Sequence, residues 1–314
     1  MALEDKTLEC FRQLAKQNYP KARECAIAAM RCDGSKKNER AIRDLEHQFA
    51  CMPSIMDADA MPYQIKGMLR VEDVARTFIG ERYVATPKAA ALSVRILRIR
   101  EAQERLAAMR VPYRVAVMLE GPSGCGKTEF ARMLAARLGL PLAILDFSRV
   151  IDSLMGKTAR NIADAFDYAT GQPCLLFLDE IDCVAVSRAA TSEGATKERQ
   201  SVTITLMQLL DRLPAGCLLL AATNRPDLID PALLRRFPIR AEFEPYGSYE
   251  LAHMVERLVA TTDVEWDAGS VKTTADWCYA HSGGPASDAI AAAIEAMVDA
   301  VIDGHPFRMP QAAE

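Results

Sequence analysis

The chain has 314 residues, half of them hydrophobic and a quarter charged, with a formal net charge of -4, which provides for a packed core in more than one unit and gives no charge-based case for a polyanion partner. Its nine cysteines, an odd number with no pair at C-x-x-C spacing, exclude a disulfide framework and a cysteine zinc site and suit a reducing compartment. No apolar run approaches the ~18 residues of a membrane span and Met1 to Lys6 lack the order of a secretory signal, so a cytoplasmic location without membrane contact is expected.

From the N-terminus, Leu8, Phe11 and Leu14, then Cys25, Ala28 and Ala29, recur at helical spacing, with Pro20 and Asp33-Gly34-Ser35 as breaks. Ile42, Leu45 and Phe49 put an apolar face on a further helix over 38–51. The Met/Pro/Asp-rich stretch 52–62 is expected to be a linker, and 87–110 a helix rich in Ala, Leu and Arg. The charge is uneven: the part up to 110 is net basic and the rest net acidic. A solvated helical surface accounts for the basic part.

Beyond Pro112 the texture changes. The spacing predicts strands over 115–119, 143–147, 174–178 and 217–221, with helices over 128–138, 159–169 and 202–213 between them. Wholly apolar strands alternating with amphipathic helices imply an α/β fold with a parallel sheet sandwiched by helices. From 248 the pattern is helical again, ending in the Ala-rich 286–302. Three units are expected: a helical N-terminal region 1–75, an α/β domain 76–242 and a small helical lid 243–314.

The segment Gly121, Pro122, Ser123, Gly124, Cys125, Gly126, Lys127, Thr128 fits G-x-x-x-x-G-K-[ST] between a strand and a helix, the context that identifies a phosphate-binding P-loop. Its glycines let backbone N–H groups curl round an anion, and the helix N-terminus adds partial positive charge. Lys127 is expected to reach the β- and γ-phosphates of ATP and Thr128 to ligate Mg²⁺. Glu129, the next residue, completes the expected nucleotide-binding set. In Leu175 to Glu180 an apolar strand ends in two carboxylates, at the end of a parallel strand where ligands bind. Asp179 is expected to hold Mg²⁺ partly through water, and Glu180 to polarise the attacking water. Cys125 lies at a helix N-terminus, where a thiol pKa falls. It is expected to be either a reactive thiol shielded by nucleotide or a passive small residue.

Four motifs in order, Gly121 to Thr128, Leu178-Asp-Glu-Ile-Asp182, Ala221-Ala-Thr-Asn-Arg-Pro-Asp227 and Ile229-Asp-Pro-Ala-Leu-Leu-Arg-Arg-Phe237, resemble the AAA+ ATPases, within them the group of FtsH, katanin and the proteasomal ATPases. The resemblance covers about 90–305 and implies a P-loop NTPase sheet with a helical lid, turnover of ATP to ADP with Mg²⁺, and a homohexamer acting on a protein client. It makes Asn224 the residue that positions the attacking water, and Arg235 and Arg236 the arginine-finger segment, shortened here from R-P-G-R. Ser287-Asp288 matches the lid's nucleotide-sensing stretch imperfectly. Ser153 to Lys157 resembles a pore loop with Leu154 in place of the family's aromatic, and 189–200, with Arg199, a second pore loop. No H-E-x-x-H occurs, so no zinc protease of the FtsH type is expected. The second expectation is a nucleic-acid-associated AAA+ switch or loader, with Arg95, Arg98, Arg100, Arg105 and Arg110 facing phosphates. Glu101 and Glu104 dilute that patch, and nucleic acid ranks below a protein client. A dead scaffold is disfavoured because every hydrolytic residue is present.

Overall fold

A computed structural model describes residues 61–111, 113–147, 158–185, 196–214, 216–262, 264–266 and 286–307, together with 7–8, 25–26 and 28–29 near the N-terminus. Six strands form one sheet: β1 (Leu69–Glu72), β2 (Val115–Glu120), β3 (Leu142–Asp146), β4 (Leu175–Asp179), β5 (Leu218–Thr223) and β6 (Ile239–Glu242). Their order is β1-β3-β4-β5-β2-β6. Neighbours run parallel except β1, which pairs antiparallel with β3.

The apolar runs form strands because both faces of the sheet are covered, as expected for a parallel sheet. Successive residues of each strand feed opposite cores, with the period of 2 of extended chain. Met118, Leu145, Leu176, Leu178 and Leu219 pack with α4 (Thr158–Thr170) and α5 (Thr196–Asp211). Val117, Leu119, Ile144, Phe177 and Leu220 pack with α2 (Pro87–Ala108) and α3 (Lys127–Leu138). The observed helices and central strands match the expected ones within a residue or two, except that α5 starts six residues earlier than predicted, at Thr196.

Two edge strands were not anticipated. β1 and β6 have four residues each, too few for their alternation of buried and exposed positions to stand out as a period. β1 also corrects the front boundary. Its residues pair along their whole length with β3, so the unit expected to begin at 76 includes Leu69–Glu72. A one-turn helix α1 (Val74–Thr77) and a 3-10 turn at Gly80–Arg82 follow and lead to α2.

Behind β6, helix α7 (Ser248–Ala260) and helix α8 (Ala286–Asp303) build a third, smaller core. Leu251, Val255 and Val259 of α7 meet Ala289, Ala293 and Ala296 of α8, with Phe307, Val84 and Tyr246 joining them. Of the expected N-terminal helices only the scattered helical residues noted above are described. The linker 52–60 and the segment Ser153 to Lys157 lie outside the described residues, as does 189–195 of the other expected pore loop.

Candidate nucleotide-binding site

β2 delivers the glycine loop and α3 carries it away. Gly126 caps α3 at φ 80°, and Gly121 leaves β2 at φ 149°, values that L side chains rarely adopt. Close packing adds a second demand. A Cβ on Gly121 would lie 2.0 Å from the Phe243 carbonyl oxygen, and one on Gly126 2.2 Å from the Tyr246 hydroxyl. The chain joining β6 to α7 therefore lies directly against the loop.

Lys127 is buried. Its Nζ donates to the carbonyls of Gly121 and Pro122, both at 2.7 Å, and to Asn224 Oδ1 at 2.8 Å. Burial pushes its pKa down against the pull of nearby acids. The Thr128 hydroxyl donates to Asp179 Oδ2 at 3.3 Å. Because β4 and β5 run parallel side by side, Asp179, Glu180 and Asn224 emerge at the same end of the sheet, facing the loop. Glu180 sits at φ 51°, ψ 45°, a left-handed conformation that costs a non-glycine residue about 1–2 kcal/mol, as functional sites often do. Its backbone N–H donates to Asp179 Oδ1 at 3.1 Å. Burial, then Asp179, Asp146 and Asp182, hold the Glu180 carboxyl above the ordinary carboxylate value. Burial does the same to Asp179.

These groups line a cavity of about 760 Å³. Lys127, Thr128, Asp179, Glu180 and Asn224 form one part of its wall; Ile79, Val84, Met254, Leu258, Ile290 and Ile294 give another part an apolar surface. Ser123, Gly124, Gly126 and Glu129 also line it. The first residue of α8, Ala286, donates its backbone N–H to the Gly124 carbonyl at 3.3 Å, and Ser287 lines the wall beside it. The lid thus touches the loop directly. A hydroxyl and a carboxylate side by side are hard oxygen donors suited to Mg²⁺ completed by substrate phosphates, and the left-handed glycines, the helix start and the buried lysine suit polyphosphate.

Cys125 departs from one of its two expectations. It is buried, and its thiol pKa is pushed up by desolvation, which outweighs the lowering by Lys127. Burial thus works against a depressed, reactive thiol and favours the passive small residue. The arginine pair also divides. Asp230 caps the one-turn helix α6 (Pro231–Leu234) by accepting from the Ala232 N–H at 2.8 Å, and the two arginines follow. Arg236 is held by Asp211 at 2.9 and 2.7 Å. The Arg235 side chain is exposed, with no hydrogen bond or ion pair among the described residues.

Several residues of the site escaped sequence reasoning. Asp182 accepts from the Asn224 backbone N–H at 3.2 Å and so fixes the end of β5; it stood in a quoted motif without a role. Glu72, Arg132, Tyr83 and Tyr246 line the cavity but belong to no local pattern, and only the fold assembles them.

A glycine loop closing on a buried lysine, at the carboxyl ends of parallel strands that carry the opposing acids, defines a P-loop nucleotide-binding fold. Residues 117–245 match the family described as "ATPase family associated with various cellular activities (AAA)". The chain carries an AAA ATPase domain. It is 43% identical over 117 residues to "Uncharacterized AAA family ATPase y4kL" of Sinorhizobium fredii, a stretch covering 37% of this chain and 35% of that protein. It is 42% identical over 125 residues to the "ATP-dependent zinc metalloprotease FtsH" of Mycobacterium bovis, covering 38% and 16%. The FtsH of Caulobacter vibrioides is 40% identical over 121 residues, covering 38% and 19%. The chain thus spans about a third of the length of the first relative and less than a fifth of these FtsH proteins. No helix among the described residues is long and apolar enough to cross a membrane.

Proposed function

We propose that the chain binds MgATP in this cavity, hydrolyses it to ADP and phosphate, and works as a homo-oligomer, a hexamer, that remodels or unfolds a protein client in the cytoplasm. The observation that carries the ATPase reading is the meeting of Lys127, Thr128, Asp179, Glu180 and Asn224 around one cavity, from three separate segments. The loop from Gly121 through Pro122 and Ser123 to Thr128, with the Glu129 amide behind it, holds the phosphates through backbone N–H groups and Lys127. Thr128 and Asp179 would hold Mg²⁺, which would supply positive charge against the negative charge developing on the phosphates. Glu180, beyond the end of β4, accepts a proton from the attacking water. Asn224, fixed through Asp182, orients that water. Arg235, exposed and unengaged, reaches the neighbouring subunit's site, while Arg236 is anchored to Asp211.

The Glu180→Gln variant is expected to bind ATP with magnesium, to assemble, and to turn over at least about 100-fold more slowly, the scale of a lost general base. Full turnover in that variant rejects the assigned chemistry. A nucleic-acid-associated switch is the second reading. It is favoured by Arg95, Arg98, Arg105 and Arg110, all exposed and without ion pairs among the described residues, although Glu101 lies exposed among them. Stimulation of ATP turnover by DNA that fades with added salt supports it; stimulation by an unfolded polypeptide supports the first.

A further inference from the structure

Two tyrosines, Tyr83 and Tyr246, line the cavity beside the glycine loop, and neither hydroxyl has a hydrogen-bond partner among the described residues. Tyr246 comes just before α7. It is 7% exposed, its ring belongs to the lid core, and its hydroxyl presses on Gly126 from within the cavity wall. Tyr83 follows the 3-10 turn ahead of α2. Its hydroxyl oxygen is sealed from solvent and makes no hydrogen bond. A buried hydroxyl left unpaired is destabilising, and native structures rarely leave one so without a role. Burial, then Tyr246 and Glu129, raises the Tyr83 hydroxyl, and burial, then Cys125, Glu250 and Glu129, raises that of Tyr246 to about 12. Both are therefore protonated donors at neutral pH.

Their position along the cavity is set by their neighbours. The Tyr246 hydroxyl lies against Gly126, and its ring packs in one core with Val84, Met254 and Leu258, which line the apolar part of the cavity. Tyr246 therefore stands between the glycine loop and the apolar wall, where the sugar of a nucleotide lies once its terminal phosphates face Asp179 and Glu180.

We propose that Tyr246 is a nucleotide-recognition residue. Its hydroxyl donates to the ribose of the bound nucleotide and accepts from Tyr83, so that occupancy completes a Tyr83–Tyr246–nucleotide chain. The inference rests on the ATP-binding reading above and deepens it. It also gives the lid a direct contact with the ligand. Tyr246 is at once part of the lid core and of the nucleotide's wall. Tyr83 lies on a strap clasped to the lid by Arg257, which donates to the Tyr83 carbonyl at 2.9 Å, and by Arg82, which donates to the Thr261 hydroxyl at 2.7 Å.

The test compares ADP and inorganic pyrophosphate, each with magnesium, by calorimetry on the full chain. Tyr246→Phe is expected to weaken ADP by up to about ten-fold, the scale of one hydrogen bond, and to leave pyrophosphate unchanged. Tyr83→Phe weakens ADP as well but raises the melting temperature of the nucleotide-free protein, because an unpaired buried hydroxyl has been removed. The double variant loses no more ADP affinity than Tyr246→Phe alone, as expected of members of one chain. Unchanged ADP affinity in Tyr246→Phe, or an equal loss for pyrophosphate, overturns the proposal. If the unsubstituted chain binds neither ligand, the ATP-binding reading itself falls; if it binds both and Tyr246→Phe behaves identically, only this inference does.

Discussion

At the scale of single residues, environment decides between opposing effects on Cys125. Its place at a helix start and next to Lys127 favours the thiolate, yet it is 3% exposed and desolvation wins. A thiol held protonated and buried reacts slowly. Iodoacetamide at neutral pH is therefore expected to label Cys125 much more slowly than a free cysteine peptide, with little change on adding ADP. Rapid labelling that nucleotide blocks is the contrary result. Glu180 shows the opposite bargain: it keeps a left-handed backbone that only a surrounding structure can impose, and the strain places its carboxylate beyond the end of β4. Neither property is visible in the letters Gly-Cys-Gly or Asp-Glu. The motifs reveal which residues meet, while burial and backbone angle set how each behaves.

Among the elements, the edge strand β1 is fastened to α3 by charge. Arg132 donates to Glu72 through Nε at 2.8 Å and through a second nitrogen at 3.2 Å, and it also pairs with Glu129. Both side chains are about three-quarters buried. Burial raises the Glu72 pKa, but the bond to Arg132 and its charge more than offset this, leaving the carboxyl below its ordinary value of 4.5. A lowered carboxylate pKa stabilises the fold above the ordinary value, and that contribution is lost as pH falls through the lower folded value. Glu72→Gln is expected to cost about 1–2 kcal/mol in urea unfolding at pH 7 and to show a shallower loss of stability below pH 4.5. Equal stability at pH 7 would dismiss the fastening. This element also marks the limit of legibility in the sequence. β2 to β5 were readable because a strand buried on both faces must be apolar throughout. β1 and β6 were not, because an edge strand of four residues leaves only a short, mixed pattern. The lid helices were readable from periodicity, but the contact of their core with the glycine loop through Tyr246 and Ala286 was not, since it joins residues more than a hundred positions apart.

For the whole molecule, the free Arg235 separates catalysis within one chain from catalysis between chains. Arg235→Ala is expected to keep ADP affinity and to lose turnover by about 10³-fold or more, as for an arginine finger supplied in trans. Turnover per chain in the unsubstituted protein then rises steeply with protein concentration. Arg236→Ala has a different signature: its pair with the largely exposed Asp211 is worth under about 1 kcal/mol, so stability changes little. Unaltered turnover in Arg235→Ala removes the intersubunit role. The bond between Lys127 and Asn224 has its own consequence. One amide oxygen serves the lysine, and the lysine's other two bonds go to the loop's own carbonyls, so the cation is fully committed within the protein. An incoming phosphate must compete for it, and the asparagine is freed to face a water only when that exchange has happened. Arrival of a phosphate within the lysine's reach thus sets the order of events, and until then the asparagine stays latched.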